Sequence, residues 1–196
     1  MIILTEKQKE MLKNIDTSDM KRWREFKEPD KFIDRWDTFW YTIYKGAPHD
    51  RILDYGCGPG YCEFIGHYRG FRDITSLDID NEEVRRCFKK YTDILDIKVH
   101  YWDNIKLPFK DGYFDSIVSK SSILKLSPAE NILTADNIFI NQINELVRVS
   151  RKNCKWYIAP VLHAERLTKK LKDTLMSKVL KNKAITIVPW LKDLKG

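Results

Sequence analysis

The chain has 196 residues, of which 43% are hydrophobic and 32% charged, with a formal net charge of +7. It is long enough for one buried core and too apolar to remain unfolded. No apolar run reaches the ~18 residues of a membrane span, and Met1 to Lys7 lack the basic start of a secretory leader, so a cytoplasmic protein is expected. The cysteines, Cys57, Cys62, Cys87 and Cys154, form no CxxC pair and no Cys/His spacing suited to zinc, so buried thiols and no metal are expected. The positive charge is concentrated late: residues 163–183 hold seven Lys or Arg against Glu165 and Asp173. That admits an acidic partner such as nucleic acid without requiring one.

In chain order, Thr5 is positioned to cap a helix over 5–14, and Asp30 a second over 31–44. In the second, Phe32, Ile33, Trp36, Phe39, Trp40 and Ile43 share one face, a stripe expected to pack into the core. Its Trp and Tyr content also suits stacking over a flat ligand. From Arg51 onward strand and helix patterns alternate. Strands are predicted at 51–55, 73–78, 97–102, 114–119, 155–161 and 184–190, with helices at 61–68, 81–91, 136–149 and 164–181. The last helix carries the basic segment on its outer side. Alternating β and α units predict a Rossmann-like, doubly wound, mostly parallel sheet with helices on both faces. The chain reads as one domain: a helical cap over 1–48, a core over 49–161, and a basic helix with a final strand over 162–196.

The stretch from Arg51 to Tyr61 reads Arg-Ile-Leu-Asp-Tyr-Gly-Cys-Gly-Pro-Gly-Tyr. A strand ends on the acid Asp54, three glycines alternate at Gly56, Gly58 and Gly60, and a helix follows. Glycine tolerates positive φ and brings bare backbone against a ligand, and the helix start favours a polar or anionic group. A nucleotide-like ligand across this turn is therefore expected, with Cys57 packing beside it. A dinucleotide motif requires a third glycine where Tyr61 stands, and a P-loop requires Lys-Ser or Lys-Thr after Gly60, where Tyr61-Cys62 is found.

Strand 2 ends in Leu77-Asp78-Ile79-Asp80, 24 residues beyond Asp54. An acid so placed accepts hydrogen bonds from ribose hydroxyls, and Ile79 offers an apolar face for a base. Asp80 alone suits a helix cap. Strand 3 ends in Tyr101-Trp102-Asp103, where a carboxylate is able to accept from an exocyclic amine. Next comes Leu107-Pro-Phe-Lys-Asp-Gly-Tyr-Phe-Asp-Ser-Ile-Val118 and later Glu145-Leu-Val-Arg-Val149.

Together, D-x-G-x-G-x-G, the acid of strand 2, the acid of strand 3 and L-P-F-x-D-x-x-F-D resemble the class I S-adenosylmethionine-dependent methyltransferases, the type 11 subfamily in particular. The resemblance covers about residues 50–160. It implies S-adenosylmethionine as methyl donor, with its methionine end near Asp54, Gly56, Cys57, Gly58 and Gly60. It also implies the ribose at Asp78, the adenine between Ile79 and Trp102 with Asp103 on its amine, and Ser119 at the exit of strand 4. Lys120 leaves strand 4 where the family faces substrate and suits an acidic substrate group; Tyr41 and Tyr44 are further substrate candidates. The family's Pro-Gly-Gly before strand 5 is replaced here by Lys152-Asn153-Cys154, and only one strand is read where the family closes its sheet with a hairpin.

Methyl transfer from a sulfonium is an in-line displacement on an activated carbon, so alignment and exclusion of water carry most of it. No general base stands out, and the N/D-P-P-Y/F/W motif of some amino-methyltransferases is absent after strand 4. A small-molecule acceptor is the leading expectation. A methyltransferase of RNA or protein using the basic helix, a non-catalytic cofactor-binding module, and an NAD-linked oxidoreductase are the alternatives, the last disfavoured by Tyr61.

Overall fold

The computed structural model describes residues 29–58, 60–79, 82, 85, 89, 98–103, 105–120, 132–159 and 186–189. Helix α1, Pro29–Thr38, continues into a π-helical turn, Phe39–Ile43. There follow β1, Arg51–Tyr55; α2, Tyr61–Tyr68; β2, Asp73–Ile79; β3, Val99–Trp102; β4, Phe114–Lys120; α3, Ile132–Val149; β5, Ser150–Ala159; and β6, Thr186–Pro189. The helices expected over 5–14 and 164–181 lie outside the described residues. So does that over 81–91, apart from Glu82, Arg85 and Lys89, which are helical.

The six strands form one sheet in the order β3-β2-β1-β4-β5-β6. Every pairing is parallel. Parallel neighbours need crossover connections on the sheet faces, and these residues supply them. On one face Leu53, Tyr55, Leu77, Trp102, Ile117 and Trp156 pack with Ile143, Leu146 and Val149 of α3 in a continuous buried cluster. On the other face lie α2 and the N-terminal helix. Gly66 of α2 is seated so close that a Cβ there would come within 2.3 Å of Ile74 Cδ1 and 2.8 Å of the Trp40 ring. A glycine in mid-helix costs about 1 kcal/mol of helix propensity; here it permits the approach of helix to sheet.

Of the apolar stripe, Trp36, Phe39 and Trp40 are buried and Ile43 half-buried, while the side chains of Phe32 and Ile33 lie outside those described. Tyr44 is buried as well. Phe39 meets Tyr157 edge-on at 5.7 Å between centroids, and Trp40 lies 4.5 Å from Phe71. Trp40 donates through its indole N–H to the Cys62 carbonyl at 2.9 Å.

Strand β5 begins at Ser150 rather than near 155, directly after α3. The departure from Pro-Gly-Gly is absorbed inside the strand. Asn153 takes φ +69°, and the register against β4 slips between Phe114 and Ser116. This is a β-bulge, with the left-handed position filled by a residue type that tolerates it. β6 lies parallel beside β5, within the span where a last strand is expected.

Arg148 near the end of α3 holds the Leu107–Asp111 stretch. Its guanidinium donates to the carbonyls of Leu107 (3.0 Å) and Phe109 (2.8 Å) and to Asp111 (2.7 Å). Glu145 accepts the Leu107 N–H at 2.8 Å and pairs with Arg148. Asp115 holds the amino end of β1 through the Arg51 backbone N–H and guanidinium, both at 3.1 Å. Phe109 and Phe114 pack edge-on at 5.0 Å. Phe114 is fully buried and Phe109 partly so, and both belong to the core.

Candidate active site

Strand β1 ends on Asp54 and Tyr55 and releases the chain into the glycine turn. Gly56, Gly58 and Gly60 have φ of +75°, +52° and +85°. These are conformations that an L side chain adopts only with strain of roughly 1–2 kcal/mol, and they explain the alternate spacing. The turn is tied to the end of β2. The N–H groups of Gly56 and Cys57 donate to the Leu77 carbonyl at 2.8 and 3.0 Å. The Gly58 N–H donates to Asp78 Oδ2 at 2.7 Å, while Asp78 Oδ1 accepts its neighbour Ile79 N–H, also at 2.7 Å. The turn and the proposed ribose acid therefore form one hydrogen-bonded unit.

Parallel register sets the remaining residues. Ile79 pairs with Trp102, so Asp78 and Asp103 flank one cross-strand pair at the same sheet edge. Ile79 is 45% exposed, a large apolar side chain open to solvent beside Asp78. Trp102 is buried and meets Tyr55 edge-on at 5.8 Å, so it sits in the core beneath that edge rather than open beside Ile79. Asp103 is exposed and accepts the Ile105 N–H at 2.9 Å, which makes it a turn acid in this structure. Ser119 is fully buried, and among the described residues nothing pairs with its hydroxyl. Lys120 ends β4 with its ammonium 5.9 Å from the centroid of the Trp36 ring, which brings α1 to the carboxyl edge of the sheet.

Two substrate candidates go elsewhere. The Tyr44 hydroxyl lies 3.0 Å from both Asp50 Oδ2 and Ser116 Oγ. Asp50 precedes β1, so Tyr44 is a core residue near the amino ends of the strands, and burial pushes its phenol up. Tyr41 is exposed, with the Arg69 guanidinium 5.6 Å above its ring. Arg69 follows the far end of α2 and pairs with Asp37. Neither tyrosine is brought to the glycine turn.

The structure adds two residues that motif reading missed. Glu63 and His67, one turn apart on α2, are both buried, with His67 Nε2 3.5 Å from Glu63 Oε1. The available signal was their place in the otherwise apolar run Tyr61-Cys-Glu-Phe-Ile-Gly-His67: a helix apolar on all sides is buried on all sides, so its acid is buried too. Asp54 is equally buried. Burial raises the Asp54 carboxyl, the negative charges of Glu63 and Asp78 raise it further, and burial alone raises Glu63. Burial lowers His67, so its imidazole is neutral. Burial likewise pushes the Cys57 and Cys62 thiols up, so neither is a ready nucleophile.

These features fit S-adenosylmethionine. The orphaned Asp54 oxygen suits an ammonium, the positive-φ turn admits a close ligand, Asp78 offers carboxylate acceptors, and Ile79 offers an open apolar face. Among the described residues no group of three or more His, Cys, Asp or Glu is arranged to hold a metal ion. No helix among them is long and apolar enough to cross a membrane.

The comparisons with known proteins agree. Residues 52–139 match the family model described as "Methyltransferase domain". The EEF1A lysine methyltransferase 4 of Bos taurus is 28% identical over 111 residues, which is 52% of this chain and 42% of that relative. A solved structure from Methanococcus maripaludis, described as an S-adenosyl-L-methionine-dependent methyltransferase, superposes with a TM-score of 0.52 at 20% identity. It covers 76% of this chain and 64% of its own. A phosphoethanolamine N-methyltransferase of Haemonchus contortus, solved with phosphoethanolamine and S-adenosylhomocysteine, superposes with a TM-score of 0.51 at 14% identity. It covers 74% of this chain and 29% of its own. At these identities the structural likeness shows the shared fold. The family match lies within residues 52–139, the stretch from β1 into α3, and the chain spans less than half the length of the curated relative it matches.

Proposed function

We propose that the protein transfers a methyl group from S-adenosylmethionine to a small-molecule acceptor by in-line displacement. The observation that carries the donor half is the glycine turn bonded to Asp78 beside the orphaned acid Asp54. In this reading Gly56, Cys57, Gly58 and Gly60 lie against the methionyl part and Asp54 takes its ammonium. Asp78 holds the ribose hydroxyls, Ile79 covers one adenine face, and Asp103 takes the adenine amine. Trp102 supports that edge from the core, and Ser119 lines the exit of β4. When bound, the donor supplies a methyl carbon already activated by the sulfonium. The chain aligns it and excludes water.

The acceptor side is read from Lys120 and Trp36, which meet at the carboxyl edge. An ammonium over an indole suits a compact acceptor with an anionic group next to a flat or apolar part. In this reading residues 1–48 form the cap on the acceptor side, 49–161 the donor-binding core, and 162–196 the basic end of the domain. A second reading, methylation of a protein lysine, is favoured by the lysine methyltransferase of Bos taurus among the chain's relatives.

Calorimetric titration with S-adenosylhomocysteine tests the donor half; micromolar binding is expected, and no binding sinks both readings. Isotope-labelled donor, incubated with the protein and either a metabolite extract or denatured proteins, tests the acceptor. Label in the metabolite fraction alone is expected, and label in lysine side chains instead replaces the first reading by the second.

A further inference from the structure

Between β1, β2 and α2 lies a set of buried polar atoms that no described residue satisfies: Asp54 Oδ2, Ser76 Oγ, Glu63 Oε2 and His67 Nδ1. Asp54 and Ser76 are register partners on adjacent strands and point to the same face of the sheet, the one that α2 covers. Asp54 is 2% exposed and Glu63 3%. Among the described residues neither carboxyl is paired with Lys or Arg. Glu63 has His67 Nε2 at 3.5 Å. Two carboxyls so deeply buried cannot both stand as bare charges, because the desolvation cost far exceeds what a neutral imidazole returns. The N–H groups of Gly56, Cys57 and Gly58 are directed to the end of β2.

A ligand's ammonium would complement the two carboxyls. We propose that Glu63 is a second acid of the donor subsite, acting with Asp54 to bind the primary ammonium of the methionyl moiety, and that His67 positions it. This rests on the reading that the glycine turn holds S-adenosylmethionine. It extends that reading by placing a recognition residue in the first turn of α2, outside the glycine motif. One ammonium together with one proton retained by the pair leaves neither acid as an unopposed charge. The arrangement also predicts selectivity: a nucleoside lacking the amino-acid arm gains nothing from Glu63.

The test is calorimetric binding, without turnover. S-adenosylhomocysteine, its analogue lacking the amino group, and 5′-methylthioadenosine are each titrated into the wild-type protein and into Glu63→Gln. Wild type is expected to lose about tenfold in affinity when the ligand's amino group is removed, as for loss of one charge-assisted hydrogen bond. Glu63→Gln is expected to weaken S-adenosylhomocysteine by a similar factor and 5′-methylthioadenosine by less than about twofold, with the amino-group effect correspondingly reduced. Equal loss for both ligands in Glu63→Gln, or no loss for either, overturns the proposal. If Glu63→Gln does not fold, Glu63→Asp is titrated in its place: a loss confined to ligands that carry the amino group supports the proposal, and an equal loss for S-adenosylhomocysteine and 5′-methylthioadenosine, or none, overturns it. If wild type binds none of the three, the methyltransferase reading itself fails. Wild-type binding with an indifferent Glu63→Gln removes only this inference.

Discussion

The two faces of the sheet are built on different terms. Against α3 the contact is dry and apolar, with Leu53, Leu77, Phe114, Ile117, Leu146, Val149 and Trp156 all fully buried. Against α2 and the N-terminal helix an aromatic layer is combined with Asp54, Ser76, Glu63 and His67, each with a buried polar atom that no described residue satisfies. The first face accumulates burial energy at little polar cost, Ser119 Oγ at the end of β4 being its one unsatisfied polar atom among the described residues. The second gives up stability beside the glycine turn. Native structures retain few buried unsatisfied groups. The contrast teaches that in this chain the apolar half and the polar half of the core are the two sides of the same strands.

The contrast is broken most strongly on the dry face. Trp156→Ala should cost about 3–5 kcal/mol in urea denaturation, while in the protein that remains folded binding of S-adenosylhomocysteine stays within about twofold, because the residue touches none of the turn. A loss of binding larger than the loss of folded protein would mean that the two faces are coupled.

Next is the close seat of α2. Gly66→Ala improves helix propensity yet should destabilise by about 1–3 kcal/mol through overpacking, since the new methyl meets Ile74 and Trp40. A stabilised variant by thermal melting would show that α2 is free to move away from the sheet.

The polar face should respond in the opposite sense. Asp54→Asn should stabilise the ligand-free protein at neutral pH by about 1 kcal/mol, because it removes a buried carboxyl, and should weaken S-adenosylhomocysteine. Burial, with Glu63 and Asp78 adding to it, holds this carboxyl above its ordinary range in the folded state. As pH rises from about 4 the unfolded chain releases this proton first, and wild-type stability falls by at most about 1.4 kcal/mol per pH unit until the folded carboxyl titrates as well. The advantage of Asp54→Asn over wild type should therefore grow with pH in that window and vanish below it. His67 contributes with the other sign: burial lowers its pKa, so its contribution is present above the ordinary histidine range and is lost as pH falls through it. Denaturant melts of both proteins between pH 4 and 8 isolate the carboxyl, and a constant difference would sink the assignment.

The smallest effect is expected at the surface. Tyr41→Ala should change stability by less than about 0.5 kcal/mol and leave donor binding unaltered, because the side chain is 75% exposed beside Arg69. A change in S-adenosylhomocysteine binding, read by calorimetry, would return Tyr41 to the site.

Much of this architecture was legible in local pattern. Apolar runs punctuated by glycine and acid place β1, β2 and β4 to within a residue or two. The positive φ of Gly56, Gly58 and Gly60 is what their alternate spacing requires. The resemblance to the methyltransferases rested on the same local signals, and the family match covers the same stretch. The misreadings are of one physical kind. Tyr44 was weighed by its type and its place in an aromatic stripe; its hydroxyl is committed to Asp50 and Ser116, the latter 72 positions away. Glu63 and His67 belong to no motif, and only the burial of α2 on every side turns them from an ordinary i,i+4 pair into unsatisfied polar groups. The bulge at Asn153 likewise follows from register against β4, a relation between distant segments.

By itself the sequence determined the order of elements, the glycine turn and the acids at the strand ends, because each depends on the conformational limits and polarity of residues close in the chain. Only the tertiary structure decided which polar groups are stranded without partners. That property belongs to the space between a strand and a helix, as at Asp54 and Glu63.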